Sequence, residues 1–356
     1  SMLRISYGAF VLLAITSFSA CRKHVMDDMP MEKNIEYPAA YVVNGEDATV
    51  SVIRLSDQSV SETLDLMTGS AEMVMWPHHI YHLQSLGEHR LTVAVPGMDL
   101  SEGHAGAMAG MTGRVLVLDA VKGTILKDLE VPVMNHNAVY SPDGKEIWTS
   151  QMDMAGKVLV YDAATYTLKN TIAVGMEPAE VTFSADGTKV YVANGGDDNV
   201  SVINPETKAI IKTIDVGDNP VAAWVGYDGK MYVDNEDGKS VSVINVSSDK
   251  VVQTIPLGFM PGSVAHNPTK KELWVTDPEN GKVHYWTWDD AMQDWMHGNV
   301  FEAAAGAHAV GFTTDGNTAF VTNQMAQSVS VINASNHTKI KDIIVGKKPN
   351  GIVLKQ

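Results

Sequence analysis

The sequence predicts an all-β fold: a seven-bladed β-propeller of four-stranded antiparallel blades, closed by pairing of the N- and C-terminal strands. Three observations predict it. Similar units recur at about 40–45 residues, the spacing of a propeller blade. Each unit holds four short β-rich runs separated by Asp-Gly and Asn-containing turns, as antiparallel hairpins require. The two ends of the repeat region are fragments of one blade.

In order, Tyr41–Asn44 and Val50–Ile53 are a second and a third strand with no first strand before them. The C-terminal run Lys347–Leu354 is a first strand with nothing after it. Joined, they form one closing blade and leave no sheet edge free. Residues 67–132 form the next blade, interrupted by a long insertion. The others are 133–175, 176–217, 218–258, 259–306 and 307–346. First strands end in turns at Asp143-Gly144, Asp186-Gly187, Asp228-Gly229 and Asp315-Gly316. Second strands read like Tyr191–Asn194, and third strands read Val-Ser-Val-Ile-Asn at 200–204, 241–245 and 329–333. Fourth strands resemble Thr-Ile-x-Val-Gly. These repeats closely resemble the YVTN family of β-propellers over nearly all of the chain after residue 37. That resemblance implies the propeller fold.

Composition narrows the function. With 45% hydrophobic and 19% charged residues the 356-residue chain is globular in character. A net charge of −16 argues against a nucleic-acid partner, whose phosphates need a basic surface. A single cysteine excludes an internal disulfide, a Cys-pair zinc site and a Cys-x-x-Cys-His haem attachment. No Ser-centred nucleophile elbow, phosphate loop or HExxH helix occurs, so no residue pattern marks an enzyme.

Residues 1–20 read as a signal peptide: Arg4, an apolar run from Tyr7 to Ile15, then small residues up to Ala20. The cysteine, Cys21, follows directly. This resembles a bacterial lipobox, with Phe18 where an aliphatic residue is usual. The resemblance implies lipidation at Cys21, a polar tether over 21–36, and a membrane partner reached through the anchor. It places the propeller, from residue 37, in the bacterial cell envelope, on the periplasmic face or at the outer membrane.

Alignment of the blades exposes the candidate site. At the start of the innermost strand, the position of Ala179 is taken by His78, His136 and His308, and by Asn350 in the closing blade. Val221 and Gly262 occupy it elsewhere. The four polar positions lie on consecutive blades and converge on one mouth of the central channel. One such histidine is an ordinary polar residue at a strand start. Three in register, with His79 beside His78 and His82 further along, point to a transition metal. The insertion VPGMDLSEGHAGAMAGMTG adds Met98, His104, Met108 and Met111. Residues 67–154 hold nine of the 19 methionines and six of the 12 histidines, so soft donors and imidazoles concentrate around one blade. Thioether sulfur prefers Cu(I), which makes copper the leading expectation, with zinc or haem as alternatives. The arrangement also resembles, distantly, the propeller of nitrous oxide reductase, whose channel mouth holds a histidine-ligated copper cluster. The blades spanning 176–258 lack the histidine, so the reductase chemistry is not carried over.

Two other features remain. Asp197-Asp198, Asp234–Asp237 and Asp277–Asn280 fall at equivalent hairpins and read as turn residues. Trp286, Trp288 and Trp295 form either an exposed patch for an envelope protein partner or packing between blades. The expected function is metal acquisition, delivery or redox. The alternatives are a metal-free interaction scaffold and a propeller enzyme of the nitrous oxide reductase or haem-binding kind.

Overall fold

The computed structural model describes residues 31–67, 74–101 and 111–356. These hold 28 strands in seven four-stranded antiparallel sheets, and no helix. Blade 1 joins Pro349–Lys355, innermost, to Ala39–Asn44, Thr49–Arg54 and Ser59–Asp65. Blades 2 to 7 follow in chain order. Their innermost strands are Ile80–Ser85, Ala138–Tyr140, Pro178–Phe183, Pro220–Val225, Val264–Asn267 and Ala307–Phe312. Each innermost strand contacts the next around the ring, and Pro349–Lys355 touches both Ala307–Phe312 and Ile80–Ser85. Closure pairs Ala39 with Lys355 and Asn44 with Pro349.

The repeat residues explain themselves locally. The Asp-Gly turns put Gly144, Gly187, Gly229 and Gly316 at φ of 72°, 72°, 76° and 73°, where a Cβ is disfavoured. In four blades an Asn ends the second strand and ties its hairpin to the third. Asn194 Nδ2 donates to Asn199 Oδ1 and Ser201 Oγ, each at 2.9 Å, and Asn44, Asn235 and Asn323 make the matching pairs. The Asn or Asp that ends the third strand caps the outer turn, as Asn245 does for the amides of Ser247 and Ser248.

A hydroxyl one place before the last residue of the second strand reaches the next blade. Thr322 Oγ1 donates to Asn350 O at 2.7 Å and Thr276 Oγ1 to His308 O at 2.7 Å; Ser150 Oγ donates to Ala179 O. The threonine of the repeat therefore positions the adjacent blade's strand start.

Apolar side chains fill the spaces between blades. Tyr191, Val200 and Val202 of blade 4 pack on Ala223, Met231 and Val233 of blade 5, for example. The outermost strands alternate toward solvent, as in Ile210–Asp215, where only Ile214 is buried. The compact unit spans Glu32–Gln356. Residues 32–36, expected in the tether, lie within it: the amides of Lys33 and Ile35 donate to the carbonyls of Lys122 and Val121, and Ile35 is buried. Residues 1–30, and with them Cys21, lie outside the described residues.

Candidate metal centre at the channel mouth

Strand register determines what meets at the mouth. Pro178, Pro220, Ala307 and Pro349 each pair with the Asn that ends the neighbouring second strand. The next residue in each is therefore at one level: Ala179, Val221, His308 and Asn350. In blades 2 and 3, Ile80 pairs with Val93 and Ala138 with Thr149, which brings His78 and His136 to the same level. One residue further along come His79, Asn137 and Glu180.

Four imidazoles and a carboxylate thereby converge. His78 Nε2 is 2.9 Å from His136 Nε2. At that distance the two nitrogens share a hydrogen bond, one donating and the other accepting. His79 Nε2 and His136 Nδ1 each lie 3.5 Å from Glu180 Oε1. The ring centroids of His78 and His79 are 4.4 Å apart, and those of His79 and His308 are 5.8 Å apart and stacked. Two donor triads result, His78/His79/His308 and His79/His136/Glu180, each with ligand atoms within 4.8 Å of one another. All five residues are buried.

The surroundings orient these donors. Tyr81 Oη donates to Glu180 Oε1 at 2.8 Å. Burial, and then the Glu180 charge, push the Tyr81 phenol well above its ordinary value, so it remains a donor. Asn350 places its side-chain amide 2.6 Å from His78 Nδ1. Turned so that Oδ1 faces the ring, this amide accepts from Nδ1–H, which satisfies an otherwise unpaired Asn350 Oδ1. It then leaves the Nε2 lone pair aimed into the cluster, the usual arrangement behind a metal-binding histidine. On the far side, Asp234 Oδ1 accepts from Trp224 Nε1 and from the Ala222 amide, each at 3.0 Å. Burial first, then Glu180 and Glu236, push the Asp234 carboxyl well above its ordinary value. Gly262 stands at the histidine level in blade 6. A Cβ there would lie 3.0 Å from His308 Nδ1, so the missing side chain makes room for that ring.

Glu180 and Asp234 were not singled out from the sequence. The register that aligns His78 with Ala179 also aligns His79 with Glu180, so Glu180 was within reach of the same comparison. Asp234 was not: it lies on a second strand, in a segment that reads as turn residues, and only the tertiary fold aims it inward.

The other expected residues divide. His104 and Met108 lie outside the described residues. Met98 and Met111 pack against an apolar group of Leu100, Met134, Met152, Ala179 and Val221, which covers the half of the mouth without histidine. Met98 also lines a void of about 10 Å³ shared with His78 and Asn350. His82 does not join the cluster; it stacks on His89, with Nε2 2.9 Å from His89 Nδ1. Trp286 and Trp295 are buried with Tyr232 and Phe259 between blades 5 and 6, and Trp288 packs at their edge under the Lys230 ammonium. The tryptophan hairpin is thus packing at Trp286 and Trp295.

Asp99 and Ser101, at the start of the insertion, reach blade 1. Lys348 Nζ of blade 1 lies 3.2 Å from Asp99 Oδ2 and 3.2 Å from Ser101 Oγ. Beside this latch a cavity of about 360 Å³ opens to solvent between blades 5 and 7, with His308 in its wall next to Glu236 and Gln324.

A family model described as the choice-of-anchor I domain matches residues 147–344, more than half of the chain. No curated protein matches the sequence. Among solved structures, the periplasmic gluconolactonase of Pseudomonas aeruginosa is 16% identical with a TM-score of 0.69, over 90% of this chain and 99% of that one. A putative 6-phosphogluconolactonase from Bacteroides fragilis is 15% identical with a TM-score of 0.68, over 90% and 99%. Dihydro-haem d1 dehydrogenase NirN, solved in complex with DHE, is 14% identical with a TM-score of 0.62, over 93% and 78%. At these identities the likeness is one of fold.

Proposed function

The chain belongs to the choice-of-anchor I domain family, and from that premise we propose a propeller that holds a transition-metal ion, copper first, at its channel mouth. The observation that carries the reading is the convergence of His78, His79, His136, His308 and Glu180 from four blades on one buried point. Imidazole suits copper, zinc, iron and nickel, and copper leads the affinity order for nitrogen and oxygen donors. Burying a carboxylate among imidazoles costs several kcal/mol unless a positive charge accompanies it. A bound cation supplies that charge, and so does one protonated imidazole when no ion is present. Tyr81 and Asn350 act as the outer partners that orient Glu180 and His78.

The same reading makes Cys21 the lipid-anchored residue and residues 22–31 the tether that keeps the propeller beside an envelope membrane. The YVTN-like repeats supply the rigid ring, and the ion serves acquisition, delivery or redox. A second reading is a propeller enzyme, like the lactonases and the haem d1 enzyme that share the fold. The cavity beside His308 favours it, because it is larger than an ion requires.

Metal analysis separates the readings. The purified chain is exposed to copper and to zinc, desalted and analysed beside a variant carrying alanine at His78, His136 and His308. Retention near one equivalent or more in the wild type and none in the variant is the expected result. Equal retention in both would sink the metal reading. Turnover of a lactone that survives the triple substitution would favour the enzyme.

A further inference from the structure

The methionines that the histidine cluster does not use are distributed unevenly. Loops that lead into an innermost strand, and turns between second and third strands, lie on the face where the histidines meet; the other turns lie on the opposite face. Among the described residues the opposite turns carry Met292 alone, at the tip of the blade 6 hairpin. The histidine face carries Met75, Met154, Met176, Met260 and Met325 around its rim, in addition to the group packed with Leu100. Met154 and Met325 are 68% and 63% exposed, and Met75 and Met260 are exposed as well. Core packing does not account for thioethers in water.

Met260 and Met325 have a further relation. Both line the solvent-open cavity that has His308 in its wall. Glu236, Glu279 and Lys239 line the same cavity, so its charged side chains sum to one negative charge. The cavity is therefore a passage with soft sulfur donors at its rim, a net attraction for cations and an imidazole at its inner end.

We propose that this methionine rim captures a soft monovalent ion, Cu(I), and passes it between Met260 and Met325 to His308. Thioether sulfur selects Cu(I) over Zn(II), whereas imidazole accepts both, so the rim adds a selectivity that the histidine cluster lacks. Capture at the rim stands independently of the histidine reading; only the destination of the ion rests on it.

The test uses the whole chain with its methionine methyl groups labelled with carbon-13. Ag(I) serves as a soft monovalent probe that does not change oxidation state, and Zn(II) as the borderline control that imidazole binds and thioether does not favour. Ag(I) is expected to shift the Met260 and Met325 methyl resonances and Zn(II) to leave them in place. Both results should persist in the H78A/H136A/H308A variant, where the inner site is gone. In a chain with intact histidines, M260L/M325L should fill several-fold more slowly with Ag(I) while Zn(II) loading is unchanged. Absence of Ag(I) shifts at the two methyls, or equal shifts with Zn(II), overturns the rim. Unchanged Ag(I) loading in M260L/M325L overturns the passage. Failure of the histidine reading shows differently: rim shifts appear, but the wild type retains no more ion than the triple variant.

Discussion

Replacement of Thr322 by valine tests how the ring holds its own strand starts. Thr322 is fully buried. Its Oγ1 accepts from the Ala309 amide at 3.0 Å and donates to Asn350 O at 2.7 Å. One hydroxyl thereby satisfies a backbone donor of blade 7 and a backbone acceptor of blade 1. Valine keeps the shape and leaves both groups without that partner. An unsatisfied buried polar group costs about 1–3 kcal/mol, so the loss for two, after partial relaxation, is about 2–4 kcal/mol. Serine keeps both bonds and removes one buried methyl, which costs about 1 kcal/mol. Hydroxyl bonding therefore predicts that T322V is destabilised much more than T322S; simple packing predicts the reverse. Urea midpoints for the two variants, with unchanged slopes, decide between them. Because Asn350 faces His78 Nδ1, T322V should also weaken metal retention, while T322S should retain it. If T322S proves as unstable as T322V, or T322V falls within about 0.5 kcal/mol of wild type, the clamp is refuted.

Further outcomes follow from the same geometry. A Cβ at Gly262 would meet Thr276 Oγ1 at 2.8 Å, Pro278 Cγ at 2.9 Å and His308 Nδ1 at 3.0 Å, so G262A should cost about 1–3 kcal/mol in a melt and lower copper retention. Burial, then His89 and Lys355, depress His82 to about 4. The folded chain thus binds fewer protons than the unfolded chain between about pH 6.5 and 4, and stability should fall as pH drops through that window. H82Q should flatten this fall by about 1–2 kcal/mol once partial exposure of the ring is allowed for, as read by denaturation at pH 7 and pH 4.5. K348M removes the latch to Asp99 and Ser101 at a cost of under about 1 kcal/mol, because the pair is partly exposed, and metal release to a chelator should quicken. Burial pushes the Asp99 carboxyl up, but bonds from Ser101 and Lys348 outweigh it and hold the group below its ordinary value. The latch therefore persists above the ordinary carboxylate range and fails as Asp99 protonates in acid, a dependence that K348M should remove from the release rate.

The ring is written in the repeats. Blade period, Asp-Gly turns and orphan end strands are local signals, because each blade repeats the same pairing chemistry and the ends can complete only each other. The level shared by His78, His136, His308 and Asn350 was legible for the same reason: equivalent positions on equivalent strands converge on one axis. Other decisions belonged to tertiary structure. Register places Glu180 one residue past the histidine level, but only the packing of the blade 4 innermost strand beside that of blade 3 sets its carboxylate 3.5 Å from both His79 Nε2 and His136 Nδ1. Asp234 turns inward because Trp224 and the Ala222 amide bind its carboxyl. Met98 and Met111 pack in an apolar group because they meet Ala179 and Val221 of blades 4 and 5 together with Met134 and Met152 of blade 3. Trp286 and Trp295 are buried because the blade 6 hairpin lies against Tyr232 of blade 5. In each of these cases the side chain's surroundings come from a different blade, and only the closed ring fixes which blades meet.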